Sequence, residues 1–336
     1  MLKKVLLIFI VIILSVTTSY SEDRDHYLLK EVKNVLEQEF KQTHYKETLI
    51  ITNAGQVKFK SKDTINLLSI LSNYADMSLG NIINIHDSVN SSLFIFVYDS
   101  LLDKAVYIKD QNNSLSFQSF EKFLTTSLNN TEDKVKNLLN GRGYKFLPIV
   151  VAWKKGMSLE LRNSVQFHDH LCPGVLSGLW ISKYLLESFP LSSEQRYLIV
   201  SIPSWCKDDA IQSILNTTAG KRNLLVIPIS EKSKKCLVDG AMNLAGIYIR
   251  YSPKKKEAEA LVIEFLWDEL RKDAGVKEGK TFQERLKLIE WMVENEKDYK
   301  RYVRPLKTKT LDNFDPESFF DVDMNILKSF DLWKCN

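Results

Sequence analysis

The chain has 336 residues, of which 44% are hydrophobic, and a formal net charge of +4. This length predicts about two domains with a sizeable core, and the nearly balanced charge gives no reason to expect a nucleic acid or an acidic membrane surface as partner. Beyond the first residues no segment is apolar for about 18 positions, so we expect a soluble mature protein without stable membrane insertion.

The first 21 residues have the pattern of a secretory signal peptide. Lys3 and Lys4 precede an apolar run from Val5 to Leu14, and Ser19 and Ser21 supply small residues at the end of the segment. The pattern predicts cleavage after Ser21 and a periplasmic or secreted location. The apolar run is about half of the roughly 20 residues that span a bilayer, and an uncleaved membrane anchor is the alternative.

The first half of the mature chain alternates helical and strand patterns. Apolar residues recurring every third or fourth position predict helices at Asp25–Phe40 and at 63–71, and a further helix is predicted at Phe117–Leu128. Short apolar runs predict strands at Leu49–Ile51, at 81–85 and at 93–97. We therefore expect a sheet-plus-helix lobe over residues 22–145.

The second half repeats this order. It has the pattern of a helix, a strand, a second helix and a second strand, at Val175–Phe189, Tyr197–Ile202, 208–215 and Asn223–Ile229. The repeated order suggests an internal duplication, in which residues 146–252 form a lobe related to the first; similarity by chance is the alternative. The predicted fold class is α+β, with α/β layering and two related sheet-plus-helix lobes.

Residues 253–336 are predicted to form a C-terminal helical arm and tail. Helices are predicted at Glu257–Asp273 and Thr281–Tyr302. Thr281 is followed three residues later by Glu284, which is the spacing of a capping box at a helix start. The last thirty residues are interpreted as mostly loop. We expect this arm to cover the second lobe or a partner.

The stretch FHDHLCPG, residues 167–174, concentrates scarce residue types. It contains two of the five histidines and one of the four cysteines of the chain. In an extended chain, residues two positions apart project from the same face, so His168, His170 and Cys172 would converge on one point. Imidazole and thiolate ligands suit zinc, and also nickel, copper or iron. Pro173 fits the first turn of a helix, whose positive end favours a thiolate at Cys172.

A second segment offers further candidates. Cys206 follows the predicted strand and is a fourth metal ligand candidate, because sheets of this class build sites at strand ends. Asp208 is predicted to cap the next helix. Asp209 is predicted to orient a ligating histidine or to act as a general base. Lys221 and Arg222 lie in a turn that is predicted to hold an anion, with a plain helix-to-strand turn as the alternative.

The four cysteines of an exported chain also raise the question of disulfides. Cys172, Cys206, Cys236 and Cys335 allow three pairings. Three interpretations of Cys172 and Cys206 therefore stay open, namely metal ligation, a disulfide with each other, and plain packing.

These segments resemble the FmdE-type domain, which takes its name from formylmethanofuran dehydrogenase. FHDHLCPG matches the first motif of that family completely, CKDDAIQ matches the second at its cysteine and at Asp-Ala-Ile-Gln, and TTAGKRNL matches much of the third. The similarity covers about Val165 to Tyr251. Phrases such as TNAG and LGNIINIHD in the first half are similar to tandem members of the family that carry a degenerate first copy.

The resemblance implies an α+β domain with a metal-binding cleft, at or near which His168, His170, Cys172, Cys206 and Asp209 lie. The chain departs from the family in three ways. A threonine, residue 217, replaces the cysteine of the third motif, no CxxC pair follows the domain, and a signal peptide is predicted. Because of these departures the dehydrogenase activity is not inferred.

Three functional hypotheses follow. The first is an exported metal-dependent enzyme, with zinc as the expected metal and a small-molecule or anionic ligand held by Lys221 or Arg222. The second is a non-catalytic periplasmic protein that binds a metal or a metal complex. The third is a structural or partner-binding protein with disulfide-bonded cysteines. A homodimer is left open, and no nucleic acid partner is expected.

Overall fold

The structure, a computed structural model, describes residues 27–40, 47–74, 79–321 and 325–335, so the predicted signal peptide lies outside the described residues. The chain divides into two compact units, Met1–Asn129 and Asn130–Asn336. Each unit contains a five-stranded mixed sheet together with helices, which confirms the predicted α+β class. Among the residues described, no helix is long and apolar enough to cross a membrane.

The sheet of the first unit has the order β4-β1-β5-β6-β7, in which only the β1–β4 pair is parallel. Apolar side chains of its strands and of the first two helices form one buried core. The elements of this unit are α1 (27–39), β1 (Thr48–Thr52), β2 (Lys58–Phe59), β3 (Lys62–Asp63), α2 (Ile65–Tyr74), β4 (Ile82–Asn84), β5 (Phe94–Asp99), β6 (Lys104–Gln111), β7 (Ser114–Phe120) and α3 (Phe123–Leu128).

The sheet of the second unit has the order β12-β11-β10-β8-β9, and again one pair, β8–β9, is parallel. The elements of this unit are α4 (Glu132–Asn137), α5 (Gly143–Lys154), α6 (Leu159–His168), α7 (Pro173–Ser188), β8 (Arg196–Ser201), α8 (Lys207–Leu215), β9 (Leu224–Val226), α9 (Glu231–Lys234), β10 (Leu244–Ser252), β11 (Glu257–Phe265), α10 (Trp267–Asp273), α11 (Phe282–Glu294), β12 (Val303–Leu311) and α12 (Ile326–Ser329).

The two sheets share one topology. Counted along the chain, the first strand of each five-stranded sheet lies between the second and the third, and the segment that connects the first strand to the second contains a helix, α2 or α8. The registers also correspond. Ile50 of β1 is paired with Ile82 and Val97, and Ile199 of β8 is paired with Leu224 and Tyr248. The repeated order of elements in the sequence thus has a counterpart in the strand order.

The prediction of a helical arm after residue 253 is wrong in its first part. Residues 257–265 form β11, which pairs along its length with β10 and β12 inside the sheet. Leu261 and Phe265 have helical spacing, but Ala258, Ala260 and Val262 are buried at a spacing of two, as on a strand. The lysine run before β11 is the turn of this hairpin, with Lys256 at a positive φ of 52°.

Three further predictions concern where helices start. The capping box of Thr281 and Glu284 at the start of α11 is confirmed, and so is the helix after Pro173. The single helix predicted at Phe117–Leu128 is wrong at its start, because β7 continues to Phe120 and α3 begins only at Phe123.

The two faces of the second sheet are covered differently. On one face, strand residues such as Val200, Ile247 and Val262 join a buried cluster with Phe314 and Phe330 of the C-terminal segment. A disulfide between the cysteines at positions 236 and 335 fastens this segment. Trp180 of α7 stacks on Tyr302, with ring centroids 5.5 Å apart, and also packs against the rings of residues 265 and 291. These contacts fix α7, whose first turn carries the candidate site.

Candidate metal centre

The FHDHLCPG stretch is a helix end followed by a helix start, and not an extended strip. Helix α6 begins at its N-cap Ser158, whose side chain accepts the backbone N–H of Leu161, and ends at His168. Asp169 then takes a left-handed conformation with φ 71°, which reverses the chain. As a result the rings of His168 and His170 lie side by side, with centroids 4.3 Å apart. The prediction of convergence by strand alternation is wrong, although the side chains do converge.

Cys172 and Cys206 are each placed at the start of a helix. Cys172 is the N-cap of α7, with Pro173 in the first turn as predicted, and Cys206 is the N-cap of α8. The two helix starts approach closely because Gly174 and Gly178 lack side chains. A Cβ on Gly174 would lie 2.9 Å from the Cβ of Cys206, and one on Gly178 would lie 2.2 Å from the backbone oxygen of Lys207. The absence of a side chain at these glycines therefore allows the two helix starts to approach closely.

The four predicted ligands form one cluster. The ligand atoms of His168, His170, Cys172 and Cys206 all lie within 4.8 Å of one another. Metal–nitrogen and metal–sulfur bonds of about 2.0 and 2.3 Å separate the ligands of a tetrahedral zinc site by roughly 3.3–3.8 Å. The 4.8 Å limit exceeds this range by about 1 Å, so a small inward movement of the side chains would bring the four donors within reach of one ion.

Each histidine of the cluster is held by a carboxylate. Nδ1 of His168 contacts Oδ2 of Asp209 at 2.6 Å, and Nδ1 of His170 contacts Oδ1 of Asp169 at 2.8 Å. In both rings this leaves Nε2 for a ligand. Nε2 of His168 is buried and has no hydrogen-bond partner among the described residues. A buried orphan nitrogen beside a carboxylate-held imidazole is the arrangement found in metal-ligating histidines, so the residues present fit a metal.

The electrostatics of the cluster are strongly coupled. Asp209, and then Cys206, raise the pKa of His168 to about 9. The hydrogen bond from Cys172 lowers the pKa of Cys206 although burial opposes this, and the same contact together with burial raises the pKa of Cys172. One thiolate is therefore stabilised beside a cationic imidazole. Metal binding would displace the proton of His168 and the proton of the second thiol, because a ligating imidazole is neutral and a ligating cysteine is a thiolate.

The alternative of a Cys172–Cys206 disulfide is not formed. Both thiols are free, whereas Cys236 and Cys335 are bonded to each other. The Cys236–Cys335 bond is the one disulfide in the described part of the chain, and it lies outside the cluster.

A cavity of about 500 Å³ lies beside the cluster and is lined by His170, Cys172 and Cys206. His168 is not among the lining residues, and its side chain is only 12% exposed. The cavity has the size of ordinary small-molecule sites. A metal held by the four residues would form part of the cavity wall.

The sequence did not indicate most of the residues around this cavity. Its walls include aromatic rings and cations from α5, α10 and α11 and from the loop before α8, namely Tyr144, Lys145, Trp205, Trp267, Arg271, Phe282 and Arg285. No local sequence motif predicts these positions, because they lie in four segments that are distant in sequence and come together only in the folded protein. The capping box that fixes α11 was the one signal near them.

The structure does not bring Lys221 and Arg222 to this cavity. The ammonium of Lys221 donates to the backbone oxygen of Asn216 at 3.1 Å, and the guanidinium of Arg222 pairs with Glu317 at 2.8 Å. Both residues follow the C-terminal end of α8, whereas the cluster lies at its N-terminal end. Nine helical residues separate the two ends, a length of roughly 13 Å.

Asp208 does not cap α8, because the helix begins one residue earlier than predicted, at Lys207. Its carboxylate accepts the backbone N–H of Trp205 at 2.9 Å and the buried ammonium of Lys207 at 2.8 Å. Burial lowers the pKa of Lys207. Asp208 thus fixes the loop that carries Trp205 and Cys206 into the site.

Comparison with known proteins agrees with the motifs. No curated protein matches the chain. Residues 167–299 match the family described as FmdE, Molybdenum formylmethanofuran dehydrogenase operon. This match begins at the FHDHLCPG stretch and continues beyond residue 251 through β11, α10 and α11, so the region of FmdE similarity contains all four clustered residues and most of the cavity wall.

Proposed function

We propose that the second unit binds a transition metal, zinc, through His168, His170, Cys172 and Cys206. The observation that carries this proposal is the convergence of the four ligand atoms, with the Nε2 of His168 buried and unpartnered among the described residues. Two imidazoles and two thiolates form a donor set that suits zinc. The match to the FmdE family over residues 167–299 supports the same interpretation.

Asp209 acts in this proposal as the residue that orients His168. Its contact with Nδ1 presents Nε2 to the ion and increases the electron density of the ring, as carboxylates do beside metal-bound histidines. Asp169 holds His170 in the same way. Its carboxylate also pairs with Lys145 at 2.7 Å, and its pKa is lowered to about 2 by His170 first and then by that lysine.

The cavity favours an enzyme over a purely structural zinc site. Three of the four candidate ligands line it, so a small molecule that enters the cavity reaches the ion. Bound zinc would act as a Lewis acid toward a carbonyl or phosphoryl oxygen only by taking a further ligand or releasing one of the four residues, because four protein ligands are the closed arrangement of a structural zinc site. Non-catalytic binding of a metal complex is the second candidate, and the same cavity supports it.

Export is also part of the proposal. The disulfide between Cys236 and Cys335 supports it, because disulfides persist in oxidising compartments and are rare in the cytosol. The shared strand order of the two units supports an internal duplication in which the first copy has lost its ligands. Sequencing of the mature N-terminus tests export. A start at Glu22 is expected, whereas a start at Met1 in the exported fraction would contradict cleavage.

Elemental analysis of the purified protein tests the metal site. About one equivalent of zinc is expected, and His170→Ala should weaken zinc binding by roughly tenfold or more. His86→Ala is the matched control, since His86 is an exposed histidine of the first unit. Less than about a tenth of an equivalent of any metal, or equal retention by His170→Ala, would refute the assignment.

A further inference from the structure

The cavity beside the cluster is built from aromatic rings. Tyr144 and Phe282 are stacked with centroids 4.5 Å apart, and Trp205 and Trp267 meet edge to face at 5.0 Å. Trp205 is 50% exposed although it lines the cavity. A large ring left half open at a cavity is available to contact a ligand, because its burial by that ligand would release apolar surface from water.

The same walls carry positive charge. Lys145 is neutralised by Asp169, at 2.7 Å, and Arg271 by Asp268. Arg285 differs from both. It donates to two neutral oxygens, the backbone oxygen of Lys280 at 3.0 Å and the hydroxyl of Tyr144, and it forms no ion pair with any described residue.

The carboxylate in the cavity wall does not compensate for Arg285. Glu278 pairs with the ammonium of Lys280 at 2.6 Å. The guanidinium of Arg285 also lies over the ring of Tyr144, 5.4 Å from its centroid. The pKa of Glu132 is lowered mainly by Lys136, 3.0 Å away, and also by the charge of Arg285, so this carboxylate lies near the guanidinium but pairs with another cation. The cavity thus presents a planar cation that has no salt bridge to a described residue, next to an aromatic face, and guanidinium groups bind carboxylates strongly through paired hydrogen bonds.

We propose that this cavity binds a small aromatic carboxylic acid. The carboxylate pairs with Arg285, and the ring lies against Trp205 and Tyr144, next to the metal. The inference rests on the proposed function, because the ion forms part of the wall that the ligand faces. It assigns the anion-binding role to Arg285 and not to the Lys221–Arg222 turn.

Calorimetric titration with naphthoate tests the inference in zinc-loaded and metal-free protein. Two comparison ligands separate the contributions of charge and ring. Naphthamide has the ring without the charge, and decalin carboxylate has the charge without the aromatic ring. Saturable binding of naphthoate is expected, with each comparison ligand weaker by roughly tenfold or more. Equal binding of either comparison ligand, or no saturable binding of naphthoate, would overturn the proposal.

Variants locate the site. Arg285→Gln and Trp205→Ala should each weaken naphthoate binding by roughly tenfold or more. Arg222→Gln removes the same charge outside the cavity and should leave binding unchanged. Equal effects of Arg285→Gln and Arg222→Gln would overturn the assignment. If Arg285→Gln does not fold, the comparison of the three ligands on the unaltered protein still decides.

Zinc content measured on the same samples separates this inference from the proposed function. Bound zinc without naphthoate binding overturns the inference alone. Naphthoate binding that depends on Arg285, in a protein that takes up no added zinc, supports the cavity and overturns the metal site.

Discussion

The contact between Asp209 and His168 gives the sharpest prediction about the metal centre. Asp209→Asn removes the charge but keeps an oxygen that can accept from Nδ1, whereas Asp209→Ala removes both. Loss of such partners typically weakens metal binding by 10- to 100-fold. The contact is short, at 2.6 Å, and the His168 side chain is only 12% exposed. Water therefore replaces the lost carboxylate of Asp209 poorly. We therefore expect about a tenfold loss for asparagine, about 1.4 kcal/mol, and a loss approaching a hundredfold for alanine.

The neighbouring pair provides an internal comparison. The two carboxylates are similarly exposed, Asp209 at 36% and Asp169 at 39%, but the side chain of His170 is 36% exposed and that of His168 only 12%. Solvent therefore reaches the ring of His170 more easily, and Asp169→Asn should cost less than Asp209→Asn. Zinc affinities are measured by competition with a chromophoric chelator, with circular dichroism as the check on folding. Unchanged zinc affinity in Asp209→Ala, or a larger loss in Asp169→Asn than in Asp209→Asn, would refute the reasoning.

Three predictions concern the stability of the units. Gly178→Ala should destabilise the protein by roughly 1–3 kcal/mol in thermal unfolding, because the new Cβ would lie 2.2 Å from a backbone oxygen of α8; Gly220→Ala, with open space around it, is the control, and stabilisation by Gly178→Ala would contradict the packing. Replacing Cys236 and Cys335 by serine should cost about 2–5 kcal/mol, since their disulfide closes a loop over a sequence separation of 99; no difference between the variant and the oxidised protein in chemical denaturation would count against the bond. Burial alone would raise the pKa of Asp103, but hydrogen bonds from the first turn of α3 outweigh it and lower that pKa. The stability that the ionised carboxylate contributes is therefore complete above the unfolded pKa of about 4 and is lost as the pH falls below it. The difference in stability between wild type and Asp103→Asn should shrink with acidification, and a constant difference would exclude this role.

The ligands of the candidate site were accessible from sequence because scarce residue types cluster there. His168, His170 and Cys172 stand within five positions, and Cys206 follows a strand that its apolar run defines. The spatial arrangement of these side chains could not be predicted from the sequence. It depends on the left-handed turn at Asp169, a conformation that aspartate adopts more readily than most residues but that the pattern does not specify. Strand alternation predicts the same convergence of the side chains but from an extended backbone, which this segment does not have.

The sheet was predictable only in part, because two kinds of pattern coincide in β11. Leu261 and Phe265 satisfy a helical spacing, and the pairing of β11 with β10 and β12 overrides it. The cavity was less predictable still. Arg285 and Trp205 are eighty positions apart in the sequence, and the packing of α11 and the loop held by Asp208 bring both to the same cavity. Local spacing carries no information about such contacts, so the residues that line the cavity could not be predicted from the sequence.

The cover that the C-terminal segment places on the second sheet determines when this unit can be completed during synthesis. Ile247 and Val262 emerge from the ribosome well before Phe314 and Phe330, which share their buried cluster. Until those last aromatic residues are available, one face of the sheet stays open to water, and the disulfide cannot close before Cys335 has been added. Domains normally fold in order from the N-terminus as they are made. In this unit the buried cluster can therefore be completed only after Phe314 and Phe330 have been synthesised, late in the production of residues Asn130–Asn336.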